Sequence, residues 1–75
     1  MKTVQISLDF DKARSFVNVV GRFDNDFDLV SGRYVIDAKS IMGILSLDLS
    51  KPLQLNIHTE NDLDTILAAL EPYMA

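Results

Sequence analysis

The chain has 75 residues, 11 acidic against 7 basic, with a formal net charge of −4 and no cysteine. So short a chain holds one domain at most and buries only ~60% of its unfolded surface, which rules out a multi-domain enzyme. The acidic balance argues against sequence-independent nucleic-acid binding, which needs clustered Lys and Arg, and the missing cysteines exclude a disulfide framework or a thiolate zinc site.

The residues divide into alternating and helical periods. Val4, Ile6 and Leu8 alternate with Thr3, Gln5 and Ser7, the period of a half-buried strand. No apolar run of signal-peptide or membrane-spanning length accompanies it, so a cytoplasmic domain is expected. Asp9-Phe10-Asp11 breaks the alternation and offers acidic N-caps. From Ala13 the apolar positions fall at Ala13, Phe16, Val17 and Val20, one stripe of a helix that Gly21 can end.

Asp24-Asn25-Asp26 predicts a solvated turn. Phe27 and Leu29 then alternate with Asp28, Ser31-Gly32 supplies a turn, and Tyr34, Val35 and Ile36 form a second β-rich run. Two such runs across a Ser-Gly turn predict a hairpin. Lys39 to Leu49 is less periodic, and Ser40 and Gly43 limit it to one short helix and a loop. After Pro52, Leu53, Leu55 and Ile57 alternate with Gln54, Asn56 and His58. Thr59 and Asn61 are candidate N-caps for a last helix, with Asp62 and Asp64 in its first turn. Leu63, Ile66, Leu67 and Leu70 form that helix's stripe, and Pro72 closes it.

Four one-sided strands and three one-sided helices predict a single α+β domain over residues 1–75. It is a two-layer open-faced sandwich, βαββαβα, with a four-stranded antiparallel sheet and all helices on one face. Gln5, Ser7, Gln54, Asn56 and His58 would line the open face.

Chemical motifs are sparse. His58 is the only histidine, and strand parity turns it toward solvent; Asp48 and Glu60 are near it only in sequence. The aspartates Asp24, Asp26 and Asp28 miss the calcium-loop pattern, because position six is Leu29 and position twelve is Val35. With three glycines there is no phosphate-binding loop or dinucleotide fingerprint. No metal, cofactor or catalytic residue is expected, and the chain reads as a non-enzyme.

One segment is specific: Ala38-Lys39-Ser40-Ile41-Met42-Gly43-Ile44-Leu45-Ser46-Leu47. It resembles HPr, the histidine-containing carrier of the bacterial sugar phosphotransferase system, and its Lys-Ser-Ile-Met-Gly run is typical of Gram-positive members. Val17 to Phe27 and Ile57 to Leu70 extend the likeness, leaving the first dozen residues as the exception. The resemblance implies the same βαββαβα fold. It also implies a carrier histidine in a Gly-Leu-His-Ala-Arg-Pro segment opening the first helix, and this sequence lacks that segment. Without gaps, Asp9 falls at the histidine and Asp11 at the arginine; with a shifted gap, Lys12-Ala13-Arg14 covers His-Ala-Arg. The loop from Leu8 to Ala13, with residues 9–12 of open conformation, is several residues short. Asp9, Asp11, Lys12 and Arg14 are therefore read as a degenerate carrier region.

The resemblance to the catabolite-repression HPr branch, which lost the histidine and kept the serine, implies a regulatory phosphorylation site at Ser40. It also implies protein partners: an HPr kinase, a catabolite-control transcription regulator or phosphotransferase-system components, with no direct contact to nucleic acid or membrane. Lys39, Ile41, Met42 and Leu45 are the expected docking residues. Ile41, Met42 and Leu45 are expected exposed, and Ile44, Leu47 and Leu49 buried. Two other readings stand beside it: a phosphocarrier with an altered site, and an unphosphorylated partner-binding relic of the fold.

Overall fold

The computed structural model describes residues 1–59 and 61–75. The elements run β1 (Lys2–Ile6), α1 (Phe10–Val20), β2 (Asp26–Ser31), β3 (Tyr34–Asp37), α2 (Ile41–Leu45), β4 (Leu53–His58) and α3 (Leu63–Leu70), followed by a 3₁₀ turn at Glu71–Tyr73. The strands form one four-stranded antiparallel sheet, as expected, in the order β1-β4-β2-β3.

Register places the apolar side chains on one face. Leu55 pairs with Val4 on one side and Leu29 on the other, and Ile57 with Lys2 and Phe27. Phe27, Leu29, Leu53, Leu55 and Ile57 are fully buried with Ala13, Phe16 and Val20 of α1, Ile44 of α2, and Ile66 and Leu70 of α3. Among the described residues no buried side chain is polar or charged, so the core has no unpaired polar group to destabilise it.

The hairpin turn is Gly32-Arg33, one residue later than the sequence suggested, because Ser31 still pairs with Tyr34. Gly32 has φ +59°, and positive φ at only the first central position suits the right-handed twist of the flanking strands.

The capping of α3 also differs from expectation. Asp62, in the left-handed region at φ 60°, is the N-cap and makes no side-chain cap bond. Thr59 Oγ1 donates instead to the Asn61 carbonyl and accepts the Asn61 N–H at 3.0 Å. A local hydroxyl turn thus consumes the group that would have capped the helix. Pro72 lies within the 3₁₀ turn, after α3 has ended at Leu70.

The C-terminal segment covers one sheet edge. The Ser7 N–H donates to the Tyr73 carbonyl at 2.7 Å, the Ala75 N–H donates to the Gln5 carbonyl at 3.1 Å, and Met74 bridges Ile6. On the far edge, β3 pairs only with β2 among the described residues. Among the described residues no helix is long and apolar enough to cross a membrane.

Candidate functional site

The site is built on α2 and the chain entering it. Asp37 ends β3; its carboxylate accepts the Lys39 N–H at 2.9 Å and its carbonyl accepts the Ser40 N–H at 3.0 Å. These bonds turn the chain out of the sheet and into the helix. Ser40 is the N-cap in extended conformation, with its carbonyl receiving the Ile44 N–H at 3.0 Å and its Oγ the Gly43 N–H at 3.3 Å. The hydroxyl is exposed. A Cβ on Gly43 would lie 3.3 Å from both Ile36 Cδ1 and Ser40 Oγ, so the absent side chain lets α2 sit close to β3 without displacing the cap.

The apolar residues of α2 sort differently from the sequence reading. Ile44 is fully buried and Met42 is 77% exposed, both as expected. Leu45 is 38% exposed. Ile41 is half-buried against the core, and Leu47 and Leu49 are half-buried at its margin rather than inside it. Five residues make little more than one turn, so one face of α2 reaches the sheet and Leu47 and Leu49 continue along the rim.

Lys39 has a structural partner that its sequence position does not reveal. Its Nζ donates to the Phe23 carbonyl at 2.7 Å and lies 5.8 Å from the Phe27 ring centroid. The ammonium ties the start of α2 to the loop after α1, and the half-buried stem covers the aromatic ring beneath.

Residues 9–14, expected to be a degenerate carrier region, form a helix start. The conformation left open for residues 9–12 is the cap and first turn of α1. Asp9 is the N-cap; its Oδ1 accepts the Lys12 N–H at 2.8 Å and its carbonyl the Ala13 N–H at 2.8 Å. Asp11 adds a second carboxylate in the first turn, where the helix dipole favours negative charge. Lys12 and Arg14 are exposed. Replacing Asp9 with alanine is expected to destabilise the fold by about 1 kcal/mol, read as a lower urea midpoint with an unchanged slope.

His58 is far from this region. Asp26 pairs with it across β2, whereas Ile6, three residues before Asp9, pairs with Leu53 at the other end of β4. Six residues of strand separate the two ends by ~17 Å. His58 Nε2 instead lies 2.5 Å from Asp28 Oδ2, with both side chains more than a third exposed. Strand parity gave its open-face position, but the Asp28 contact depends on register. Glu60 lies outside the described residues. Among the described residues no group of three or more His, Asp or Glu is arranged to hold a metal.

The open face carries a small polar network. Asn56 Oδ1 accepts from Thr3 Oγ1 at 2.9 Å and Gln54 Nε2 at 3.1 Å. Beside it, Gln5, Gln54, Arg33, Asp48 and Lys51 help line a shallow hollow of ≈ 610 Å³. Nearby, the Ser50 hydroxyl and backbone N–H, at 2.5 and 3.0 Å, hold the exposed Asp48 carboxyl below its usual value.

Comparison with known proteins fits this geometry. The family model for the PTS HPr component phosphorylation site matches residues 4–75, which takes in the start of α1 and β1 from Val4 onward. HPr-C-His from Thermoanaerobacter tengcongensis is 29% identical with a TM-score of 0.78, covering 96% of this chain and 89% of its own. The phosphocarrier protein HPr of Bacillus anthracis is 30% identical with a TM-score of 0.73, over 99% and 94%. Crh, the catabolite repression containing protein of Bacillus subtilis whose crystal structure is a domain-swapped dimer, is 27% identical with a TM-score of 0.66, over 96% and 88%. The antiparallel sheet with its helix layer is thus that of a known scaffold, and the chain belongs to the HPr family of the bacterial sugar phosphotransferase system.

Proposed function

We propose that this chain is a regulatory interaction module of the phosphotransferase system, phosphorylated on Ser40 and docking protein partners through α2, and that it carries no phosphoryl group on histidine. The observation that carries the reading is the exposed Ser40 cap beside a 77% exposed Met42. A phosphoryl group on Ser40 Oγ adds roughly −1.5 to −2 charge. It would face the backbone N–H groups of the first turn of α2, among them the Gly43 N–H that Oγ already accepts at 3.3 Å, and these favour an anion.

Met42 and Leu45 supply the apolar part of the docking surface, with Ile41 at its inner margin. A flexible thioether suits an adaptable contact. Lys39 lies at the rim, where it orders the segment through Phe23. The partners that fit are an HPr kinase, a catabolite-control transcription regulator and phosphotransferase-system components, by likeness to Crh and HPr.

Intact mass after incubation with ATP and an HPr kinase tests the reading. The γ-phosphoryl group moves to Ser40 Oγ, ADP leaves and the hydroxyl proton is released. The wild-type chain is expected to gain one phosphoryl group and Ser40→Ala none. No gain by a protein folded by circular dichroism overturns the Ser40 assignment.

A further inference from the structure

β3 is an edge strand whose Tyr34 and Val35 are 65% and 64% exposed. Its hydrogen-bonding parity is fixed. Ala38 N–H donates to the Phe27 carbonyl at 2.9 Å, and the register continues through Ile36–Leu29 to Tyr34–Ser31. In an antiparallel ladder hydrogen-bonded pairs alternate, so within β3 the backbone groups of Val35 and Asp37 point away from β2, with the Asp37 carbonyl also accepting the Ser40 N–H at 3.0 Å.

We propose that β3 pairs with β3 of a second copy of this chain, antiparallel about a two-fold axis at Val35, joining the two sheets into one. The register follows from the outward groups. With Val35 opposite Val35, the outward valines pair on the axis, and the turn residue Arg33 of each copy comes beside Asp37 of the other. Shifting by one residue sets an outward group against an inward one and breaks the ladder.

Side-chain chemistry selects the same register. Arg33 projects from the turn at the end of β3, so two Arg33–Asp37 pairs form beside the central valines, one on each side of the axis, with the Asp37 carboxylate keeping the Lys39 N–H. Within one copy Asp37 stands directly opposite Asp28, a like-charge pairing that costs stability. Asp28 already has His58; Arg33 of the second copy gives Asp37 a cation as well. On the helix side, Tyr34 of one copy lies opposite Ile36 of the other, over a hollow of ≈ 320 Å³ lined by Tyr34, Ile36, Ser46 and Leu47. Both exposed apolar residues of β3 thereby gain an apolar cross-strand neighbour, and the open sheet edge is paired.

Sedimentation velocity over a concentration series tests the pairing, with circular dichroism confirming the fold of each variant. The apparent mass is expected to rise from 8.4 kDa toward twice that value. Val35→Lys sets two ammonium groups against each other on the axis and should hold the chain monomeric. Arg33→Asp and Asp37→Arg should each weaken the dimer roughly tenfold, from the loss of two cross-strand ion pairs. The double variant Arg33→Asp with Asp37→Arg should restore it, which a purely structural role of Asp37 would not. A chain monomeric up to ~1 mM, the weakest end of specific association, overturns the proposal. So does a dimer that survives Val35→Lys, the outcome for a strand exchange or for contact through α2.

Discussion

Replacing Tyr73 with alanine is expected to destabilise the domain by about 3–5 kcal/mol, the loss for a large aromatic removed from a packed core. Tyr73 is 7% exposed; its ring meets Phe16 edge-on, with centroids 5.5 Å apart and planes at 80°, and its hydroxyl donates to Ser15 Oγ at 2.8 Å. A 75-residue domain has roughly 4–11 kcal/mol in all, so the variant keeps little margin. The melting temperature should fall by roughly 12–40 °C. Tyr73→Phe separates ring from hydroxyl. It should cost only about 1 kcal/mol, because Ser15 Oγ keeps its own bond to the Lys12 carbonyl at 3.1 Å. A loss of only a few degrees in the alanine variant would mean that the 3₁₀ turn is an appendage, not part of the core.

Tyr73 also shows where sequence patterning loses information. The alternation of β4 and the four-residue stripes of α1 and α3 are strong periodic signals, and each predicted member of those stripes is buried or half-buried. Periodicity locates a residue on a face of its own element. It says nothing about a three-residue turn such as Glu71–Tyr73, whose burial depends on where the chain returns. The Asp62 cap was missed for a related reason. Thr59 and Asn61 satisfy each other locally, and composition alone cannot choose between a hydroxyl turn and a helix cap.

At the candidate site, the motif singles out a segment, while the fold decides which of its side chains are free. Ser40, Met42 and Leu45 remain exposed. Lys39, equally prominent in the motif, has its ammonium on a carbonyl sixteen residues away, and no spacing rule anticipates that bond. The Val35 edge was likewise invisible: Tyr34, Val35 and Ile36 look the same in sequence whether their strand is central or outermost. Only the order β1-β4-β2-β3 puts them on the rim.

No phosphoryl transfer onto nitrogen is expected when the chain is incubated with phosphoenolpyruvate and enzyme I, even where an HPr carrying its histidine is fully modified. A labile carrier needs an imidazole at the helix start, where backbone N–H groups and a neighbouring cation stabilise the phosphorylated ring. Here Asp9 already occupies the cap and accepts the Lys12 N–H at 2.8 Å, and Asp11 stands in the same turn. Two carboxylates at that position repel an incoming phosphoryl group, and Lys12 lacks the ring that makes a phosphoimidazole transferable. The remaining histidine is on Asp28, ~17 Å of strand away at the opposite end of β4. The measurement is intact mass before and after acid treatment, with His58→Ala beside the wild-type chain. An acid-labile phosphoryl group lost in His58→Ala would make this protein a carrier with a relocated site. An acid-stable group on Ser40, formed only with ATP and the serine kinase, is the pattern expected of a chain that keeps the family's regulatory helix without its carrier chemistry.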